Sequence, residues 1–128
     1  MTTIRIAIIE DEESAVNRLN KELSKLSEYK FEVMQVLPSV KEAKEWFISN
    51  PTVDLVFMDV QLADGISFEL FNLVDLTCPV IFTTAYDEYA QRAFRVNSLD
   101  YQLKPIDPKE LELSHKRYLA QSQTPAQP

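Results

Sequence analysis

Leu55-Val56-Phe57-Met58-Asp59 decides the fold: four consecutive apolar residues with no polar alternation, ending on a carboxylate. A strand with one face in water alternates apolar and polar positions. An unbroken apolar run of this length suits a strand covered on both faces, as in a parallel sheet between helices. Ile6-Ala7-Ile8-Ile9, followed by Glu10-Asp11, repeats the pattern. Outward from these two, the apolar, β-rich runs are Ile4–Ile9, Phe31–Val36, Val53–Met58, Val80–Thr83 and Leu99–Leu103. The segments between them have helical spacing. Ala15, Val16, Leu19, Leu23 and Leu26 form one stripe; Val40, Ala43 and Phe47 form another behind a Ser39/Glu42 capping box. Phe68, Phe71 and Val74 mark a third helix, and Tyr86, Tyr89, Ala90, Ala93 and Phe94 a fourth. A fifth opens on Asp107-Pro108-Lys109-Glu110, a cap followed by proline at the first helical position, and is expected to reach about Ser122. Strict alternation of five strands and five helices implies right-handed crossovers and an open, doubly wound α/β sheet. Residues 1–122 are expected to form one domain. The polar, proline-bearing residues 123–128 read as a tail or the start of a linker.

Composition removes several function classes. The 128 residues hold one glycine, Gly65, and both the Walker-type phosphate loop and the GxGxxG dinucleotide fingerprint need several at fixed spacing. Lys and Arg total 13 against 20 Asp and Glu, a net charge of −7, which argues against nucleic-acid binding by this segment's own field. One cysteine, Cys78, and one histidine, His115, cannot build a zinc cluster or an internal disulfide. No apolar run approaches the roughly 20 residues of a membrane helix, and no export signal is visible at the N-terminus, so a cytoplasmic location without membrane contact is expected. His115 is expected on an exposed or half-buried helix face in a structural role, and Trp46 and Phe47 in the core.

Ligands of open α/β sheets bind at the carboxyl ends of the strands. Here those ends carry Glu10 and Asp11, Asp59, Thr83-Thr84-Ala85, and Lys104-Pro105. Two carboxylates about 4 Å apart repel by roughly 4 kcal/mol at an effective dielectric of 20, so such a cluster calls for a cation. Oxygen donors without imidazole or thiolate favour Mg²⁺ or a similar hard ion. A carboxylate beside such an ion can accept a phosphoryl group, with a lysine neutralising charge and a hydroxyl such as Thr84 bonding a phosphoryl oxygen. Taken singly, each residue also has a plainer reading. Asp11, Glu12 and Glu13 suit the start of a helix, Asp59 a turn, the threonines a strand end, and Lys104 the solvent.

Taken together, Ile8-Ile9-Glu10-Asp11-Glu12, Leu55 to Asp59, Phe82-Thr83-Thr84-Ala85 and Asp100-Tyr101-Gln102-Leu103-Lys104-Pro105 resemble the receiver domain of bacterial two-component response regulators. The resemblance runs from about Ile4 to about Ala120. Phe82 to Ala90, with Ala93-Phe94 and Leu99-Asp100-Tyr101, is similar in particular to receivers of the LytTR class, which carry a C-terminal DNA-binding domain.

The resemblance implies a flavodoxin-like (βα)5 fold with strand order 2-1-3-4-5. It implies Asp59 as the phosphoacceptor, supplied by a sensor histidine kinase, and Mg²⁺ held by Glu10, Asp11, Asp59 and the backbone carbonyl of Gln61. Thr84, next to Ala85, would be the switch hydroxyl, Lys104 the phosphoryl-binding lysine, Tyr101 the aromatic switch, and Lys104–Pro105 a cis peptide. The face of the fourth helix, fifth strand and fifth helix would then offer Tyr86, Glu88, Arg92, Arg95 and Lys109 to a partner. A second copy of the chain, forming a homodimer on phosphorylation, is the expected one. DNA contact would be left to an output domain beyond this chain. Glu10 departs mildly from the Asp common at its position.

Four alternatives stand beside this reading. A degenerate receiver would bind partners without phosphate, which the complete acidic, Thr and Lys set argues against. A stand-alone receiver would act through protein contacts. A flavodoxin-like cofactor binder would need a Ser-, Thr- or Gly-rich loop where Glu10 to Glu13 stand. A Mg²⁺-dependent phosphatase usually has a second acid/base carboxylate just after its nucleophile, where this chain has Gln61. No enzymatic turnover beyond the domain's own phosphorylation and dephosphorylation is expected.

Overall fold

A computed structural model describes residues 3–26, 30–49, 53–85, 99–104 and 106–123. Strands β1 (Thr3–Ile9), β2 (Lys30–Leu37), β3 (Leu55–Asp59), β6 (Val80–Thr84) and β7 (Asp100–Leu103) form one sheet. Its order is β2-β1-β3-β6-β7 and every pairing is parallel. Because β4 (Gln61–Leu62) and β5 (Gly65–Ile66) form a separate antiparallel hairpin, this is the expected 2-1-3-4-5 arrangement of the five main strands. The register places Ile8 opposite Phe57 and Met58 opposite Phe82, so the apolar runs pair side by side in the middle of the sheet.

The reason for unbroken apolar runs is visible in the core. Alternate residues of each central strand point to opposite faces, and both faces are buried. Ala7, Ile9, Val56, Met58, Val80 and Phe82 pack on one side with Val40 and Ala43 of α2 (Val40–Ser49), Phe68, and Leu70 of α3 (Leu70–Leu73). Ile6, Ile8, Leu55, Phe57 and Ile81 pack on the other with Leu19 and Leu23 of α1 (Glu13–Leu23) and Leu111 of α4 (Pro108–Gln123). The edge strand β2 is the exception. Much of it is exposed, and its pairing with β1 slips by one residue between Ile6 and Ala7, a bulge that makes the edge a poorer template for another strand.

Local signals account for the helix starts. Ser39 Oγ accepts the Glu42 N–H at 3.0 Å, half of the expected capping box. Asp107 caps α4 as expected, its carboxylate accepting the Lys109 N–H at 2.8 Å ahead of Pro108. The third helix is shorter than its apolar spacing implies. Ser67–Glu69 form a 3-10 turn, α3 covers only Leu70–Leu73, and Val74 is already extended. Phe68 and Phe71 still reach the core, both packing against the Phe82 ring. His115 is buried rather than exposed or half-buried, with its ring 5.4 Å from Phe31 in an edge-on arrangement. Trp46 and Phe47 are partly buried against the core, as expected. The fourth predicted helix, including Tyr86, Glu88, Arg92 and Arg95, lies outside the described residues, as does Pro105 and with it the proposed cis peptide.

Candidate functional site

The parallel sheet delivers the acidic residues to one rim because β1 and β3 are neighbours ending at the same level, Ile9 opposite Met58. Glu10 follows β1, its N–H bonded to the Leu37 carbonyl of β2 at 3.0 Å, and its side chain turns inward to 5% exposure. Asp59 closes β3 and is 6% exposed. Asp11 stands at the solvent side. Carboxylate oxygens of these three residues lie within 4.8 Å of one another. They are hard donors unaccompanied by imidazole or thiolate, a set suited to a hard divalent cation.

Lys104 reaches the same point from the loop after β7. Its ammonium lies 2.5 Å from Glu10 Oε1 and 3.2 Å from Asp59 Oδ2, bridging the two buried carboxylates. Its backbone N–H is held by the Thr84 carbonyl at 2.7 Å, which ties the lysine loop to the end of β6. Burial pushes the Glu10 carboxyl up, to about 7; the negative charge of Asp59 adds to this, and the hydrogen bond and charge of Lys104 oppose it. Burial alone would lower the Lys104 ammonium. Its hydrogen bond to Glu10 and the nearby charge of Asp59 outweigh that, so Lys104 sits above the ordinary lysine value and stays charged.

The other predicted residues fall around this centre. Thr84 is fully buried at the end of β6, one residue beyond the Asp59–Thr83 pairing, and Ala85 is exposed just past it. Gln61 donates its N–H to Asp59 Oδ1 at 3.3 Å, so its backbone lies against the acidic centre. Tyr101 is half-buried in β7 opposite Phe82. Lys109 is exposed near the start of α4, well along the chain from the centre.

Three supports escaped sequence reading. Asp64, between the two hairpin strands, accepts the N–H groups of Val40 at 2.9 Å and Lys41 at 3.1 Å, capping α2 from 24 residues away. Gly65 beside it takes a φ of +149°, which residues with a Cβ rarely adopt. Arg18 of α1 donates through Nε (3.3 Å) and Nη2 (3.1 Å) to the Ile106 carbonyl. Within β7 and α4, the buried Ser114 hydroxyl bonds Asp100 and Gln102, and Arg117 meets Asp100 at 2.9 Å. Only Asp64 had a sequence signal, as an Asp-Gly turn pair, and that signal says nothing of α2.

The response regulator receiver domain model matches residues 6–115, most of the chain. The chain belongs to the response regulator receiver domain family. It is the receiver of a two-component system, a signalling domain, and its relatives are of LytTR type. The sensory transduction protein LytT of Bacillus anthracis is 35% identical over 124 residues, covering 94% of this chain and 49% of LytT. The transcriptional regulatory protein LytR of Staphylococcus aureus is 37% identical over 112 residues, covering 85% of this chain and 44% of LytR. The chain thus spans about half the length of these relatives. Among solved structures, the response regulatory domain of protein mrkE from Klebsiella pneumoniae superposes with a TM-score of 0.80 at 23% identity, covering 94% of this chain and all of that one, a likeness of fold. No helix among the described residues of this receiver is long and apolar enough to cross a membrane.

Proposed function

We propose that the receiver is switched by phosphorylation of Asp59. The observation that carries this reading is the convergence on Asp59 of Lys104 at 3.2 Å and of the Glu10 and Asp11 carboxylates within 4.8 Å. In the transfer, an Asp59 oxygen attacks the phosphorus of a phosphohistidine on a sensor kinase. The P–N bond breaks as the P–O bond forms, and the departing imidazole nitrogen takes up a proton. Glu10, Asp11, Asp59 and the Gln61 carbonyl would hold Mg²⁺, which would supply positive charge for the phosphoryl oxygens. Lys104 supplies a further positive charge, already oriented by its two carboxylate contacts.

Thr84 acts as the hydroxyl that answers the phosphoryl group, with Ala85 alongside, and Tyr101 repositions as Thr84 does. Both stand on neighbouring strands, so a shift at the end of β6 is passed to β7 and α4. That face forms a homodimer on phosphorylation. Lys109 and the exposed Leu103 and Leu113 lie on its two described elements. Residues 1–122 make up the domain, residues 123–128 begin a linker, and a DNA-binding output domain follows, as the name of LytR and the relatives' greater length suggest. The protein works in the cytoplasm without turnover on outside substrates, losing only its own phosphoryl group.

The test is intact-mass measurement after incubation with acetyl phosphate and Mg²⁺. One phosphate is expected on the wild type and none on Asp59→Asn or in excess chelator. A phosphate that persists on Asp59→Asn refutes the assignment.

A further inference from the structure

We infer that Arg18 is a positioning residue for Lys104. This inference rests on the reading of Asp59 and Lys104 given above. A pocket of about 510 Å³ opens beside the first turns of α1 and the lysine loop, lined by Ala15, Arg18 and Leu19 from the helix and by Lys104 and Ile106 from the loop. Leu19 and Ile106 also share one apolar core, but apolar packing is non-directional, and across the open part of the pocket dispersion forces fade over fractions of an ångström. The orientation of the loop therefore depends on directed bonds as well, and Arg18 makes one. Its guanidinium grips a single carbonyl, that of Ile106, through two nitrogens at 3.3 and 3.1 Å. Charged donors make the stronger hydrogen bonds, and a planar fork sets direction as well as distance.

Both ends of this bridge lead to the acidic centre. Ile106 is 5% exposed, packed in the same core as Leu19, and lies two residues beyond Lys104. α1 begins at Glu13, directly after the Glu10–Asp11 loop, and the Glu12 N–H bonds back to Glu10 Oε2 at 3.2 Å. The Arg18 grip thus joins the loop that carries the ammonium to the helix that continues the acidic loop. Thr84 holds the Lys104 backbone from the sheet side through its carbonyl, and Arg18 holds the loop from the helix side. A looser loop leaves the acidic cluster whole while the ammonium wanders from the phosphoryl oxygens. Such misplacement lowers the rate of transfer and spares metal affinity.

Two variants separate the grip from its charge and from folding. Arg18→Met keeps the aliphatic stem and loses every donor; Arg18→Lys keeps the charge and one donor without the fork. Wild type, both variants and Asp59→Asn are treated with acetyl phosphate over a range of Mg²⁺ concentrations. Phosphate gain is followed by mass, and rates are normalised to the folded fraction from circular dichroism. Arg18→Met is expected to lower the maximal rate about tenfold, less than the roughly hundredfold cost of a 1 Å misplacement. Its half-saturating Mg²⁺ concentration should stay within about twofold of wild type, and Arg18→Lys should recover part of the rate. The deficit should persist from about 0.15 M to about 1 M salt, where a long-range field effect would be screened away.

Three results overturn the assignment: normalised rates of both variants equal to wild type, a parallel loss of Mg²⁺ affinity, or a deficit that vanishes in high salt. If wild type itself takes no phosphate at Asp59, the site reading falls and this inference with it. If wild type is phosphorylated and the variants match it, only the role of Arg18 falls.

Discussion

The two ends of the sheet carry the same chemistry under opposite conditions. At the amino end, Arg5 in β1 faces Asp54 just before β3 at 3.7 Å, with side chains 48% and 35% exposed. At the carboxyl end, Lys104 faces Glu10 and Asp59 with side chains 18%, 5% and 8% exposed. Water screens the first pair, which is therefore worth little in either direction. The second group has lost most of its water, holds one more negative charge than positive, and displaces the Glu10 carboxyl to about 7. A chain selected for stability alone would have little reason to bury an unbalanced carboxylate pair. The comparison teaches that burial and charge imbalance separate a site from a surface pair of the same residue types.

The largest expected effect follows from removing the cation at the buried end. Lys104→Met leaves Glu10 and Asp59 without their counterion and should destabilise the fold by about 3 kcal/mol near pH 8, measured by urea unfolding. The loss should shrink near pH 6, where Glu10 relieves the repulsion by taking a proton. Its phosphate gain should fall about a hundredfold. A loss no larger than that of Arg5→Ala would erase the distinction between the two ends.

A smaller effect comes from pH. The Glu10 carboxyl is raised from 4.5 to about 7, so the folded state keeps a proton that the unfolded chain has released. The stability this proton contributes is complete below pH 4.5 and declines as pH rises towards 7. In chelator, wild type should lose roughly 2–3 kcal/mol from this group across that window, and Glu10→Gln should show a flatter profile. Lys104 adds no slope there, because its pKa lies above 10.5. Mg²⁺ affinity should move the other way, rising through pH 7 as Glu10 gives up its proton. A flat profile in both proteins would place the acidic cluster with the screened pair at the other end.

These contrasts were only partly legible in the sequence. The sheet was, because burial on both faces writes itself into consecutive residues such as Leu55 to Met58. Glu10, Asp59 and Lys104 were too, because each directly follows or ends a strand whose neighbours end at the same level. What could not be read depends on distant backbone. Arg18 reads as an ordinary exposed helix residue, and it is exposed; its bond to the Ile106 carbonyl, 88 positions later, exists only in the folded chain. His115 sits among polar neighbours in the chain, yet α4 places it in the interior beside Phe31. The third helix promised three apolar anchors, and all three pack against the core, but Val74 does so after the helix has ended, and a single turn of α with a 3-10 turn carries the others.

Asp64 gives a prediction of intermediate size. Burial opposes ionisation of its carboxyl, and the N–H groups of Val40 and Lys41 together more than reverse this, holding it below the ordinary range. A depressed pKa means that the stabilisation is present at neutral pH and lost in acid as the carboxyl takes its proton. Asp64→Ala should cost about 1 kcal/mol at pH 7, the usual worth of a helix cap, and Asp64→Asn less. This cap is exposed like the Arg5–Asp54 pair, yet it should count for more, because a carboxylate on helix N–H groups satisfies donors that would otherwise rely on water.

The Arg5–Asp54 pair should show the smallest effect. Asp54 also accepts the Arg5 backbone N–H at 2.8 Å, and its own N–H bonds the Arg5 carbonyl at 2.8 Å, so the backbone already fixes the two residues together. Arg5→Ala removes the ion pair alone and should change stability by no more than about 0.5 kcal/mol. Asp54→Ala removes an acceptor of a backbone hydrogen bond as well and should cost about 1 kcal/mol. Raising salt to about 1 M should abolish the Arg5→Ala difference, while the cost of Lys104→Met persists because its charges are shielded from solvent ions. If salt erased both differences equally, burial would not be what distinguishes the acidic centre, and the ion pairs at the two ends would be alike in kind.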